Sequence, residues 1–146
     1  MKNSKIKSMP DLKEKIKSVA KNIGIDLIGF TVPEIVQPYK NNFLSWIKNQ
    51  YYGDMEYLST TYKKRINPTE ILSNTQTVIV IGINYNSDMP YSIDFKSGFN
   101  GWISRYAWSK DYHIILSEKI KLLIKFIKET VKKDFNFKFY VDTGPI

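Results

Sequence analysis

Thr77-Val78-Ile79-Val80-Ile81-Gly82-Ile83 decides the fold. Apolar, mostly β-branched residues fill both alternating sets, the pattern of an interior strand covered on both faces. Upstream, Asn67-Pro68-Thr69-Glu70 combines a cap residue, proline at the first helical position and Glu three after the cap. Farther back, Phe43, Leu44, Trp46, Ile47 and Tyr51 suggest a helix ending near Gly53, and Asp54–Leu58 starts another turn. At the amino-terminal end, Pro10 and Asp11 open a helix whose stripe is Leu12, Ile16, Val19 and Ile23. Gly24 supplies its stop, and Ile25–Phe30 reads as a strand directly after it.

Downstream of the central strand, residues 84–101 read as one long loop, a length at which loops are often functional. The longest helix runs from Asp111 to Lys133, with Leu116, Ile120, Leu123, Ile127 and Val131 as its buried stripe. Lys119, Lys121, Lys125, Lys128 and Lys132 fall mostly outside that stripe. Phe137–Val141 alternates as a strand and leads into Asp142-Thr143-Gly144-Pro145-Ile146. The expected fold is α/β, a partial sheet of about three to four strands with flanking helices.

The 146 residues suit one domain, and 42% hydrophobic content suits a globular core. No apolar run approaches the ~20 residues that span a bilayer, and the basic start lacks a signal-like apolar region. A cytoplasmic protein with no membrane partner is expected. Zero cysteines exclude, within these residues, disulfides, thiol nucleophiles and cysteine-ligated iron–sulfur clusters. The single histidine, His113, excludes a two-histidine metal site, so no metal ligands are expected. No P-loop, GxGxxG, HExxH or GxSxG motif occurs. The net charge of +8 suits a polyanion such as nucleic acid, but lysine-rich residue usage alone also produces it.

Three places can carry chemistry. Asp142, following the Phe137–Val141 strand, is aimed from the sheet end by Thr143 and Gly144. There a partly desolvated carboxyl serves as a general acid, or it simply forms a turn with Gly144. Ile103–His113 packs Ser104, Arg105, Tyr106, Trp108, Tyr112 and His113 just before the long helix. Aromatic faces beside Arg105 suit a flat ligand, whereas a plainer reading has Asp111 cap the helix while the rings anchor it. Arg65 precedes the capped turn and is suited to a phosphate or amide oxygen, or to solvent.

These clusters, in this order, resemble the amino-terminal half of the epoxyqueuosine reductases, cobalamin-dependent tRNA-modifying enzymes. The matching stretches are Gly24–Gly29, Gly53–Leu58, Arg65-Ile-Asn-Pro68, Thr77–Tyr85, Arg105–His113 and Val141–Pro145. The most specific are Tyr106-Ala-Trp-Ser-Lys-Asp-Tyr-His113 and Val141-Asp-Thr-Gly-Pro145. The resemblance implies that residues 1–146 form the amino-terminal portion of a cobalamin-binding reductase domain. It implies reduction of epoxyqueuosine to queuosine at the tRNA wobble position, with Asp142 as proton donor. Arg65 and Ser104 fall where that family contacts cobalamin, and Tyr112, His113, Thr143 and Gly144 are expected to line the same pocket.

Some positions depart from the family pattern: Tyr52 stands for a frequent histidine, Ser73–Gln76 for a Pro-Gly-Ala-like loop, and Ser109 for a glycine. Ser104 stands where some relatives have cysteine. The family's two [4Fe–4S] clusters are held by cysteines beyond the Asp-Thr-Gly-Pro motif, and this sequence has none. The expectation is therefore a fragment that works with a separate carboxy-terminal iron–sulfur half and with tRNA. The alternatives are a non-catalytic cobalamin- or tRNA-binding module and an inactive relic.

Overall fold

Helix α1 (Met9–Asn22) forms as its stripe demands, with Ile16 and Ala20 buried. Its end is a Schellman turn: Gly24 donates its amide to Lys21 O at 3.0 Å and Ile25 donates to Ala20 O at 2.9 Å. That geometry puts Gly24 at φ +76°, where an alanine Cβ is strained, and buries Ile25 beneath the turn. The computed structural model describes residues 9–95, 98–99 and 101–145. It divides into two compact units: Met1–Ile28 with Ile81–Lys132, and Gly29–Val80 with Lys133–Ile146.

In the first unit α1 packs against α5 (Tyr112–Val131). Leu123 is the most buried residue of the expected α5 stripe, opposite a lysine-rich exposed face. Asp111 caps α5 by accepting the His113 amide at 2.8 Å, and Lys132 ends the helix at φ +53°. Lys119 departs from the expected exterior: it is half-buried and donates from Nζ to the carbonyl of Ile23. The residue sits on the α1 side of the helix, where among the described residues that carbonyl has no amide partner of its own.

Strands β1 (Leu27–Thr31) and β2 (Val78–Gly82) make the sheet. Asp26, entering β1, donates its amide to the carbonyl of Gly82, leaving β2, at 3.1 Å, so the pair is antiparallel. The Asp26 carboxylate then accepts the Asn84 amide at 2.7 Å. Two strands, rather than three or four, are found among the described residues. Phe137–Val141 is not a strand: among the described residues no ladder includes it, and alternation alone cannot supply one. For the same reason β2 is not an interior strand, and Val80 is 59% exposed.

The second unit carries α2 (Gln37–Lys48), α3 (Glu56–Thr60) and α4 (Tyr62–Ile66). Helix α2 begins six residues before the expected Phe43, with proline in its first turn. Phe43 stacks on Trp46, which meets Tyr52 edge-on, both at 6.0 Å between ring centres. The Asn67 cap holds, its Oδ1 accepting the Thr69 amide at 3.2 Å, though the turn it starts is a single 3₁₀ turn, Pro68–Glu70.

Candidate active site

Each unit brings together part of the expected residue set. In the second unit the extended segment ends at Val141, which is buried, and the chain turns sharply. Thr143 donates its amide back to the Val141 carbonyl at 2.5 Å, closing a three-residue turn centred on Asp142. Asp142 is held at φ +53°, a left-handed conformation uncommon for any residue but glycine. Its side chain is exposed, so the partial desolvation expected of it is not found within this chain. Gly144 is buried, and a Cβ there would run into the ring of Tyr140. Glycine is thus required for the chain to pass Tyr140 and present Asp142.

Arg65 lies on α4, half-buried. Its Nε donates to Thr61 Oγ1 at 3.1 Å, and its guanidinium carbon stands 5.6 Å from the centre of the Tyr57 ring. Thr61 in turn donates to the Tyr57 carbonyl at 2.5 Å. The side chain is braced through Nε, and among the described residues its two terminal nitrogens hold no protein acceptor. A cavity of about 280 Å³ opens beside it between Pro33–Gln37 and Ile66–Asn67, with Glu34 and Lys40 among its lining. None of the expected site residues lines that cavity.

In the first unit, Ser104 is exposed and opens a 3₁₀ turn, Arg105–Ala107, its carbonyl accepting the Ala107 amide at 2.9 Å. Tyr106 meets Tyr85 edge-on at 6.4 Å and Tyr112 at 5.8 Å, and Tyr112 lies 4.2 Å from the His113 ring. His113 Nδ1 is 2.8 Å from Asp111 Oδ1, which turns Nε2 away from the pair. Two hydrogen bonds from His113, backbone first and then side chain, hold the Asp111 carboxyl below its ordinary value of 3.8. The plainer reading of Asp111 as a cap is therefore also the reading that orients His113. Among the described residues no group of three His, Asp or Glu side chains is placed to hold a metal ion.

Arg105 corrects the expectation of an open stacking site. Its guanidinium is committed to the chain itself, donating from Nη1 to Asn86 Oδ1 at 2.8 Å and to the Ser87 carbonyl, and from Nη2 to Met89 O at 2.7 Å. Tyr91 and Trp108 cover it at 4.1 and 5.1 Å. Sequence reasoning missed this clamp and the contact of Tyr85 with Tyr106. The aromatic spacing signalled a cluster, but the long 84–101 loop hid which residues return to it.

The family model described as "Epoxyqueuosine reductase QueG, DUF1730" matches residues 65–143, more than half of the chain. Arg65, Ser104, Tyr112, His113, Asp142 and Thr143 lie inside that span, and Gly144 lies just beyond it. The chain is 34% identical to the epoxyqueuosine reductase of Atelocyanobacterium thalassa, over 94% of this chain and 43% of the relative. It is similar to a crystal structure of epoxyqueuosine reductase with an epoxyqueuosine-modified tRNA-Tyr stem loop. There the identity is 32% and the TM-score 0.71, over 94% of this chain and 36% of the other. A structure from Bacillus subtilis, described with its catalytic aspartate loop swung out of the active site, matches at 30% identity and TM-score 0.66. That match covers 84% of this chain and 32% of the other. The chain thus spans less than half the length of these relatives.

Proposed function

We propose a function from one premise: the chain belongs to the epoxyqueuosine reductase family. It acts as the amino-terminal part of an enzyme that reduces epoxyqueuosine in tRNA to queuosine, with Asp142 as proton donor. Reducing an epoxide to an alkene takes two electrons and two protons and releases the oxygen as water. That oxygen departs only if it is protonated, and a carboxyl at the tip of a tight turn can deliver the proton. The observation that carries this reading is the backbone of Asp142. A non-glycine residue at φ +53°, aimed outward past an obligatory Gly144, is local strain of the kind that collects at catalytic positions.

Cobalamin is the cofactor that this reading implies, and when bound it would supply the reducing chemistry. Each unit carries groups of a kind that such a cofactor accepts. Arg65 has terminal nitrogens suited to peripheral amide or phosphate oxygens. Ser104 offers an exposed hydroxyl, and Tyr112 with His113 an aromatic wall whose histidine is oriented by Asp111. In the second unit Thr143 and Gly144 add the backbone of the Asp142 turn. Iron–sulfur clusters do not fit these residues, which include no cysteine, so electrons would reach the site from clusters held by cysteines outside them.

Co-expression with a cysteine-rich carboxy-terminal half, in cells lacking their own reductase, tests the reading. Queuosine should return to tRNA, and Asp142→Ala should abolish the return. Epoxyqueuosine persisting with both halves soluble would overturn it.

A further inference from the structure

We propose that the exposed lysine stripe of α5, Lys121, Lys125, Lys128 and Lys132, is the surface on which the phosphate backbone of tRNA docks. The inference rests on the tRNA-modifying reading above and names the surface that reading leaves open. Lys121, Lys125 and Lys128 recur at spacings of four and three on one face of α5, Lys132 follows four residues on as its C-cap, and all four are exposed. That face points away from Leu123 and the rest of the buried stripe.

The stripe differs from the other basic helix of its unit. On α1, Lys15 pairs with Asp11 at 3.1 Å and Lys17 with Glu14 at 2.8 Å. On α5, Lys121, Lys125 and Lys132 have no ion pair among the described residues. From residue 119 to 132 the chain holds five lysines and one acidic residue, Glu129, which stands four residues after Lys125 and three before Lys132. Lysines thus outnumber carboxylates along this face, and an anion lying along it would offset the excess positive charge. A row of anions matches it. From Lys121 to Lys132 the helix rises about 17 Å, a length over which one strand of a duplex presents about five phosphates. The same helix starts at Tyr112 and His113, so a backbone lying along it leads toward the aromatic wall.

The test uses the whole chain and an anticodon stem-loop RNA, with affinity measured by anisotropy over a series of salt concentrations. Lys121→Gln with Lys125→Gln is compared with Lys15→Gln with Lys17→Gln, which removes the same charge from α1. The stripe variant should lower the slope of log affinity against log salt by roughly 1.5, and the α1 variant should leave it near the unsubstituted value. Equal losses in both, or none in the stripe variant, would overturn the proposal, as would binding to anionic vesicles without binding to the RNA. Queuosine formation with an unaltered slope would sink the surface and keep the function. A stripe-dependent slope without queuosine would do the reverse.

Discussion

The guanidinium of Arg105 lies 4.1 Å from the ring centre of Tyr91 while the same group bonds Asn86 and Met89. One side chain therefore folds the segment 86–91 onto the turn that precedes α5. Arg105→Ala should cost about 2 kcal/mol, and Arg105→Lys nearly as much, because an ammonium cannot serve several acceptors in one plane. Denaturant midpoints measure the loss. Hydrogen exchange should quicken across 86–91 first, and unaltered protection there would refute the clamp.

Asp142 sets function against stability. Asp142→Gly removes the left-handed strain and should raise stability by about 1 kcal/mol. Asp142→Asn, which tolerates that conformation nearly as well as Asp, should leave stability little changed. Both should abolish queuosine formation in the two-half system. A melting curve and nucleoside mass spectrometry on each variant decide it, and an active Asp142→Gly would remove Asp142 from the mechanism.

Lys119 and Gly24 are coupled. Lys119→Met frees the Ile23 carbonyl and should cost about 1 kcal/mol. Gly24→Ala should cost more than that, since φ is +76° and the new Cβ meets Lys119 Nζ. With both substitutions the loss should fall short of the sum, because part of the alanine's clash is with the lysine. Urea denaturation of the four forms completes the cycle, and strict additivity would count against the contact.

The pH dependence of α5 follows from its cap. Hydrogen bonds from His113 lower the Asp111 carboxyl below 3.8 in the folded chain. A depressed carboxyl stabilises the fold above its unfolded value and loses that contribution as pH falls through the lower folded value. Helicity should therefore decline below about pH 4, and Asp111→Asn, which keeps a capping oxygen, should remove this acid-sensitive component. Far-UV circular dichroism against pH reads it directly.

Much of the fold is legible in residue order because helices close their hydrogen bonds locally. The stripe of α1, the glycine after it and the Asp111 cap each act within one or two turns, and each stands where spacing puts it. Phe137–Val141 was not legible in the same way. Its alternation is real, yet a strand is a relation between two segments, and no strand pairs with this one among the described residues. The site divides likewise: Asp142, Thr143 and Gly144 announce a turn by residue type, whereas the commitment of Arg105 to Asn86 and Met89 joins segments that composition cannot pair.

Sequence by itself determined α1, α5, the β2 segment, the lack of thiols within these residues and the side chains able to carry acid, base and cationic roles. Tertiary structure alone decided which of those residues are already spent on the chain. It placed Lys119 inside against Ile23, locked Arg105 into its own loop and left Lys121 and Lys125 outside with no ion pair among the described residues. The physical reason is range. Capping and periodicity act over a few residues, while burial and long-range hydrogen bonds depend on which distant surfaces meet.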